Sequence, residues 1–371
     1  DLDGTLSEVQ SILKDVDYSG IIAELAFIQK WQLDVSSTPW LKVVAIKKQG
    51  TVFGRLLSKK KEDEDVTTWP AMAENKPETP ILETPSDGLA YLIFTSGTTS
   101  KPKGVLISRG ALKSQLEVLQ HVFSIDSNSR LLNVLPMYHA DGFVQGPVSA
   151  WAAGATLFRP AHFSATTIQR VMDSIYKDRI THMIAVPTML SLIHRLGIEF
   201  AENFKSSDFK FIVSCAGHLE TDLWTNFEST FSVKICNLYG LTETVTSVLI
   251  SGAAAPSRCV GTLGLPVNST IRIVDFSGDD VSDGIEGELL ISGPQIMDGY
   301  YKNPQATESI LKEGWLFSGD LVKRNSDGHV ELVGRLKNLI ISGGRNISPE
   351  EVSAVLNQHQ GVSESTVLGA P

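Results

Sequence analysis

The sequence predicts an α/β protein: a large body of parallel-type sheet covered by helices, followed by a smaller β-rich, barrel-like unit. Three observations carry that expectation. The 371 residues are 42% hydrophobic and 20% charged, an ordinary globular composition that allows two or three domains with sizeable cores. Between residues 91 and 237, short apolar runs alternate with longer helical patterns, and strand–helix–strand repetition implies crossover connections and a parallel sheet. Beyond Gly261 the texture changes to short strands punctuated by Gly, Asp and Asn, the pattern of a compact β unit attached to the body.

Taken in order, the first eighty residues carry the weakest signals. Ile21, Ile22, Leu25 and Ile28 are spaced for a helix, and residues 41–46 read as a strand. Residues 59–65 (KKKEDED) and the proline-spaced stretch 70–85 read as a solvated connector. Strands are then expected at 91–94, 131–135, 155–158, 182–186, 211–214 and 234–237, alternating with helices at 108–122, 143–153, 165–178, 188–196 and 219–231. In the β-rich unit, strands are expected at 270–274, 287–291 and 329–333. These boundaries divide the chain into an α/β body (86–260) and a β-rich subdomain (261–336), together one domain over 1–336. Residues 337–371 then form a hinge and the start of a small α+β domain.

Charge and cysteine content narrow the function classes. A net charge of −10 disfavours nucleic-acid binding by the chain as a whole. Cys215, Cys236 and Cys259 show no paired C-x-x-C spacing and are odd in number, which points away from a zinc site or disulfide framework and toward a reducing, cytoplasmic setting. The longest apolar stretch, 143–158, is broken by Gln145, Gly146, Pro147 and Gly154 and falls short of the ~20 residues a membrane span needs. No signal peptide opens the chain; because Asp1 is not an initiator methionine, a leader ahead of it stays an open reading. The opening DLDGT matches the nucleophile motif of haloacid-dehalogenase-type phosphotransferases. No apolar strand precedes it to aim Asp1 or Asp3, so it is read as a turn at the terminus.

The strongest local signal is YLIFTSGTTSKPKGV, residues 91–105. An apolar strand runs into a loop of hydroxyls, two glycines and two lysines, and an apolar strand follows. Glycines let backbone N–H groups approach anionic oxygens, hydroxyls donate to phosphate and lysine supplies charge, so the segment reads as a nucleotide-phosphate cradle. It is not the G-x-x-x-x-G-K-[ST] loop, since Gly97 lies seven positions before Gly104.

This segment resembles the phosphate loop of the adenylate-forming superfamily, which holds acyl-CoA synthetases, aryl-acid CoA ligases and peptide-synthetase adenylation domains. Three further stretches match in the same order. NLYGLTET (237–244) resembles the Y-G-x-T-E box and offers an aromatic face, a hydroxyl and a carboxylate suited to Mg²⁺ on ATP oxygens. GWLFSGD (314–320), then Asp327-Gly328 and GRLK (334–337), supplies a carboxylate for a diol and a guanidinium for an anion. IISGGRNISPEEV (340–352) resembles the start of the family's C-terminal domain. Two acyl-side segments also align: LPMYHADG (135–142), and AVPT (185–188) with SCAG (214–217).

Carried over residue by residue, the resemblance places Thr95, Ser96, Gly97, Thr98, Thr99 and Lys103 on the β,γ-phosphates, Thr242 on the α-phosphate and Glu243 on the metal. Tyr239, Gly240, Ala216 and Gly217 border the adenine, Asp320 faces the ribose, and Arg335 faces ribose or phosphate. Gly344 lets a pantetheine arm pass. His139, Ala140, Asp141, Met189 and Cys215 line the acyl pocket. Lys337 stands at the hinge position, and as a residue read alone is equally a plain exposed lysine. Asp141 has two readings, a carboxylate facing the acyl group or a cap on the turn at Gly142.

The implied function is ATP-dependent activation of a small carboxylic acid to an acyl adenylate with release of pyrophosphate, then transfer to CoA, with ATP, Mg²⁺ and CoA as cofactors. Two alternatives stand beside it: loading of an acyl group onto the phosphopantetheine thiol of an acyl carrier protein, and an inactive nucleotide-binding regulatory protein. The resemblance covers roughly 86–371. The stretch before the phosphate loop is shorter than in relatives, which suggests a missing N-terminal piece. No residue here is assigned the role of the family's adenylating lysine, and Ser100 stands where many members have glycine.

Overall fold

The computed structural model describes residues 6–16, 20–24, 42–46, 66–68, 85–95, 102–342, 345–357, 359, 361–362 and 365–369. They fall into two compact units, one comprising Asp1–Thr84 with Ser96–Pro102 and the other Pro85–Thr95 with Lys103–Pro371. The first unit contains the helix Leu6–Asp15 and three parallel strands, β1 (Gly20–Glu24), β2 (Lys42–Ile46) and β3 (Val66–Thr68). The strand expected at 41–46 is β2. Ile21 and Ile22, read as helical, belong instead to β1, where they pair with Val43 and Val44. Adjacent isoleucines behind a glycine suit a pleated strand, and the neighbouring apolar strand overrides the weak helical spacing. Leu25, Ile28 and the run 59–65 lie outside the described residues.

The second unit begins with β4 (Leu89–Thr95) and β5 (Lys103–Ser108), an antiparallel pair rather than a member of the parallel sheet. Ser108 caps the next helix, Arg109–Phe123, by accepting from the Ala111 N–H at 3.2 Å. That helix buries Ala111, Gln115, Val118, Leu119 and Phe123, the i, i+4, i+7 and i+8 stripe of a core-facing helix. There follow β6 (Arg130–Asn133), β7 (Thr156–Phe158), β8 (His182–Ala185), β9 (Phe211–Ser214), β10 (Ile235–Tyr239), β11 (Leu249–Ser251) and β12 (Leu265–Pro266). Among the described residues they form one sheet in the order β12-β11-β10-β9-β8-β6-β7. β6 to β10 run parallel and β11 and β12 form an antiparallel edge.

The connecting helices Ile168–Lys177, Pro187–Leu196 and Thr221–Phe231 lie within three residues of their expected bounds at either end. The expected helix 143–153 is present but irregular: a helical turn Ala140–Phe143, a π turn Val144–Val148 containing Pro147, and Ser149–Ala153. Proline removes an N–H from the ladder and accounts for the break.

The β-rich region contributes β13 (Thr270–Val274), β14 (Gly287–Ser292), β15 (Gly299–Tyr300), β16 (Leu311–Lys312), β17 (Trp315–Arg324) and β18 (Val330–Arg335). All but β15 form an antiparallel sheet. The ten-residue β17 lies at its centre, with β14 along one side and β16 and β18 in tandem along the other. β15 instead pairs with β5, and β12 pairs with β11, so the sheets cross the expected 260/261 boundary. Beyond the turn Leu336–Asn338, β19 (Ile340–Ser342) and β20 (Arg345–Ile347) form a hairpin before the helix Pro349–Asn357. The buried Ser348 hydroxyl donates to the Val333 carbonyl at 2.9 Å. Among the described residues no helix is long and apolar enough to cross a membrane.

Candidate functional site

Because β6, β8, β9 and β10 run parallel, their C-terminal ends share one edge of the sheet, where open α/β sheets present their ligand crevices. The segments leaving that edge are Val134–His139 after β6, Val186–Pro187 after β8, Cys215–Gly217 after β9 and Gly240–Glu243 after β10. Each carries residues singled out by the sequence. The chain can turn sharply after β10 only because residue 240 is glycine: a Cβ there would sit 2.0 Å from the Thr246 carbonyl oxygen. The short helical turn Thr242–Thr244 is closed by Thr244, whose hydroxyl receives the Leu241 N–H at 2.9 Å. It ends at Val245 with φ +65°, a costly backbone for a β-branched residue and one that surrounding packing must impose.

Two side-chain clusters flank this run. On one side the Tyr239 hydroxyl donates to Asp320 Oδ2 at 2.6 Å, and Arg335 Nε stands 2.8 Å from Asp320 Oδ1. Asp320 and Arg335 are cross-strand partners in β17 and β18, which fixes the pair. Asp320 is only 1% exposed, whereas the Arg335 side chain is 46% exposed. Ser318 holds the acid's backbone by accepting from the Asp320 N–H at 3.0 Å and donating to the Leu289 carbonyl at 2.7 Å. Burial, and then the Asp320 charge, push the Tyr239 hydroxyl well above its ordinary pKa, so it remains a donor.

On the other side the Tyr300 hydroxyl donates to Glu243 Oε1 at 2.6 Å, and Lys103 Nζ lies 5.0 Å from the centre of the Tyr300 ring. Burial and the Glu243 charge raise the Tyr300 hydroxyl pKa. Thr95 and Lys103 face one another across the β4–β5 pair, with Thr95 Oγ1 donating to the Lys103 carbonyl at 3.4 Å. Lys103, which closes the segment 96–102, therefore meets the same tyrosine as Glu243. Ser96, Gly97, Thr98, Thr99 and Gly344 lie outside the described residues.

At the acyl side, His139 is exposed and its ring lies 4.6 Å from that of Tyr138. Ala140, Met189 and Cys215 are buried. The Asp141 carboxylate caps no turn. It accepts from Gln145 Nε2 at 2.5 Å and interacts with the Cys215 thiol. Burial raises its pKa to about 6 against those two hydrogen bonds, and burial likewise raises that of Cys215. Gly142 is required beside it, since a Cβ would meet the Pro136 carbonyl oxygen at 2.0 Å. Ala216, at φ +61°, and Gly217 are exposed at the end of β9. Lys337 is exposed on the turn after β18 and joins neither cluster.

Sequence reasoning missed Tyr300, Gln145 and Arg159. Arg159 donates to the Asn133 and Leu135 carbonyls at 2.6 and 2.8 Å, gripping the strand end that leads to His139. Arg159 and Tyr300 have no local signature and act across the fold, whereas Gln145 meets Asp141 one helical turn away. Among the described residues there is no group of three His, Cys, Asp or Glu able to cage a metal. Glu243 alone suits Mg²⁺ that arrives on a nucleotide, since that ion keeps waters and phosphates as ligands and needs one or two carboxylates.

Paired strands on either side of the segment 96–102, an acid clamped between tyrosine and arginine, and loops gathered at a sheet's C-terminal edge make an α/β architecture of the kind that presents a ligand crevice. The chain belongs to the AMP-binding enzyme family, whose model matches residues 1–301. That match takes in the first eighty residues, where the sequence offered little. It is 34% identical over 301 residues to an oxalate–CoA ligase of Arabidopsis thaliana (79% of this chain, 57% of that protein). It is 31% identical over 298 residues to a feruloyl-CoA synthase of an Amycolatopsis species (79% and 59%). The chain thus spans under two thirds of these relatives' length. Among solved structures, ATP-bound MatB from Rhodopseudomonas palustris matches 100% of this chain and 69% of its own, with TM-score 0.84 at 23% identity. An anthranilate CoA ligase in complex with anthranoyl-AMP gives 0.85 at 22% identity, with the same coverage. These likenesses establish the α/β fold.

Proposed function

We propose that the protein joins a carboxylic acid to ATP, forming an acyl adenylate, and passes the acyl group to CoA. A substrate carboxylate oxygen attacks the α-phosphorus and pyrophosphate leaves; the CoA sulfur then attacks the acyl carbon and AMP leaves. The carboxylate is already anionic, so positioning and charge neutralisation carry the first step, without a general base. The observation that carries this reading is the run 239–243 at the sheet edge, with Tyr239–Asp320–Arg335 on one side and Glu243–Tyr300–Lys103 on the other.

In this reading Asp320 takes the ribose hydroxyls, its carboxylate oxygens being acceptors held in place by Tyr239 and Arg335. Arg335 is the exposed half of that pair and meets the incoming anion. Thr242 takes the α-phosphate; Thr95, Lys103 and the segment between them take the β,γ-phosphates. Tyr239, Gly240, Ala216 and Gly217 border the adenine, and Gly344 accommodates the pantetheine arm. Glu243 would hold Mg²⁺, which supplies positive charge against the departing pyrophosphate. Lys337 serves as the hinge between the two half-reactions.

CoA is favoured over a carrier-protein thiol because relatives of 30–34% identity are CoA ligases and synthases. Their acids, oxalate, sulfoacetate, ferulate and indoleacetate, lack an α-amino group, and residues 139–141 are in keeping with such an acid: Ala140 follows His139, and the Asp141 carboxylate is engaged by Gln145. An ATP–pyrophosphate exchange screen of the full-length gene product over aryl, dicarboxylic, aliphatic and amino acids tests this. Exchange stimulated most strongly by a proteinogenic amino acid would overturn the substrate assignment, and none with any acid would overturn the activity.

A further inference from the structure

Tyr300 belongs to none of the motifs that define the site, yet it touches both charged groups expected at the nucleotide's phosphate end. It is buried, with 7% of the residue exposed. Its backbone is held from several directions. Tyr300 pairs with Val105 of β5, its N–H donates to Thr307 Oγ1 at 2.9 Å, and the next N–H, of Tyr301, donates to the Gly104 carbonyl at 2.7 Å. Three residues earlier, the Met297 N–H donates to the Glu243 carbonyl at 2.8 Å. The segment that carries Tyr300 is therefore bonded both to the strand bearing Lys103 and to the residue whose carboxylate its hydroxyl meets.

We propose that Tyr300 is a positioning residue: its hydroxyl fixes the Glu243 carboxylate and its ring seats the Lys103 ammonium, so that one side chain sets the geometry between the metal-facing anion and the phosphate-facing cation. The inference rests on the functional reading above. A glutamate's terminal torsion is broad and a lysine stem is flexible, so neither group holds one orientation by itself. The 2.6 Å hydrogen bond engages Oε1 only and leaves Oε2 its acceptor capacity for the metal. The 5.0 Å ring contact lies within the range at which an aromatic face attracts an ammonium.

The test is binding rather than turnover. Titrate wild type, Tyr300→Phe and Glu243→Gln with ATP in Mn²⁺ and with ATP in EDTA, following heat by calorimetry and bound Mn²⁺ by its spin resonance, with thermal unfolding to verify the fold. Tyr300→Phe keeps the ring and loses a hydrogen bond to a charged group, so Mn²⁺–ATP binding should weaken about tenfold. Binding of ATP in EDTA should stay within twofold of wild type, a split that a merely structural role would not produce. If Tyr300→Phe binds Mn²⁺–ATP within twofold of wild type while Glu243→Gln weakens it tenfold or more, the positioning role is wrong and the site reading stands. If Glu243→Gln itself binds Mn²⁺–ATP like wild type, the assignment of Glu243 fails and the proposal falls with it.

Discussion

Replacing Asp141 with asparagine should make the protein more stable at neutral pH and leave it little changed in acid. Asp141 is largely enclosed, and burial raises its pKa from 3.8 to about 6 even though Gln145 and Cys215 donate to it. A carboxyl whose pKa rises on folding favours the native state while protonated. Its contribution is complete below the unfolded value and is lost as pH climbs through the folded one. A rise of about two pH units corresponds to roughly 3 kcal/mol, which partial contact with solvent trims to about 2 kcal/mol. Asparagine keeps an oxygen for the Gln145 amide and carries no charge. Urea unfolding of both proteins between pH 4.5 and 8 is the assay. The variant's advantage should grow by about 1.3 kcal/mol across that interval, mostly between pH 4.5 and 7, the remaining third of the effect falling below pH 4.5. A stability difference that does not change with pH would refute the argument, because it would mean that Asp141 ionises in the folded protein as it does in the unfolded chain.

Glu243→Gln should leave the fold intact and suppress adenylate formation by about 10²-fold, the typical cost of losing one preorganised charge contact; exchange within threefold of wild type would remove Glu243 from the site. Gly142→Ala should destabilise by about 1–3 kcal/mol, because its Cβ would stand 2.0 Å from the Pro136 carbonyl oxygen; an unchanged urea midpoint would mean that the His139 turn yields freely. Lys337→Pro should impair thioester formation or its coupling to adenylation, since a hinge must absorb backbone rotation; unchanged rates for both half-reactions would argue that no rotation occurs there.

What the sequence revealed and what it hid divide by distance along the chain. The alternation of apolar runs and helical patterns located β6 to β10 and their helices to within a few residues, because period is a local property. The phosphate-loop segment was legible for the same reason: its glycines, hydroxyls and lysines are contiguous. The antiparallel turn-back of β4 onto β5 was not, since an apolar strand on either side of a loop looks the same in a parallel or an antiparallel pair. Short edge strands such as β11 and β12 have too few residues to show a period. Asp320 and Arg335 were found through their motifs, but their mutual pairing needed the register of β17 against β18. Arg159 and Tyr300 were invisible because an arginine grips carbonyls 24 and 26 residues away, and a tyrosine meets a glutamate 57 residues away.

Those separations also govern when, during folding, the site comes into being. Tyr239 and Asp320 are 81 residues apart, Glu243 and Tyr300 are 57 apart, and the buried Gln115–Ser247 bond that ties the helix Arg109–Phe123 to the strand edge spans 132. Contacts of such length must wait until the chain between them has been gathered in, because the loss of its freedom precedes the reward of the contact. The parallel sheet can close helix by helix, but the Tyr239–Asp320–Arg335 and Glu243–Tyr300–Lys103 clusters form only after β15 and β17 have arrived. On a ribosome delivering the chain from its N-terminus, a nucleotide bound as proposed could begin to stabilise the protein only after Arg335 has been added. A nascent chain released before residue 320 would carry the phosphate-loop segment and Glu243 without the acid that Tyr239 holds.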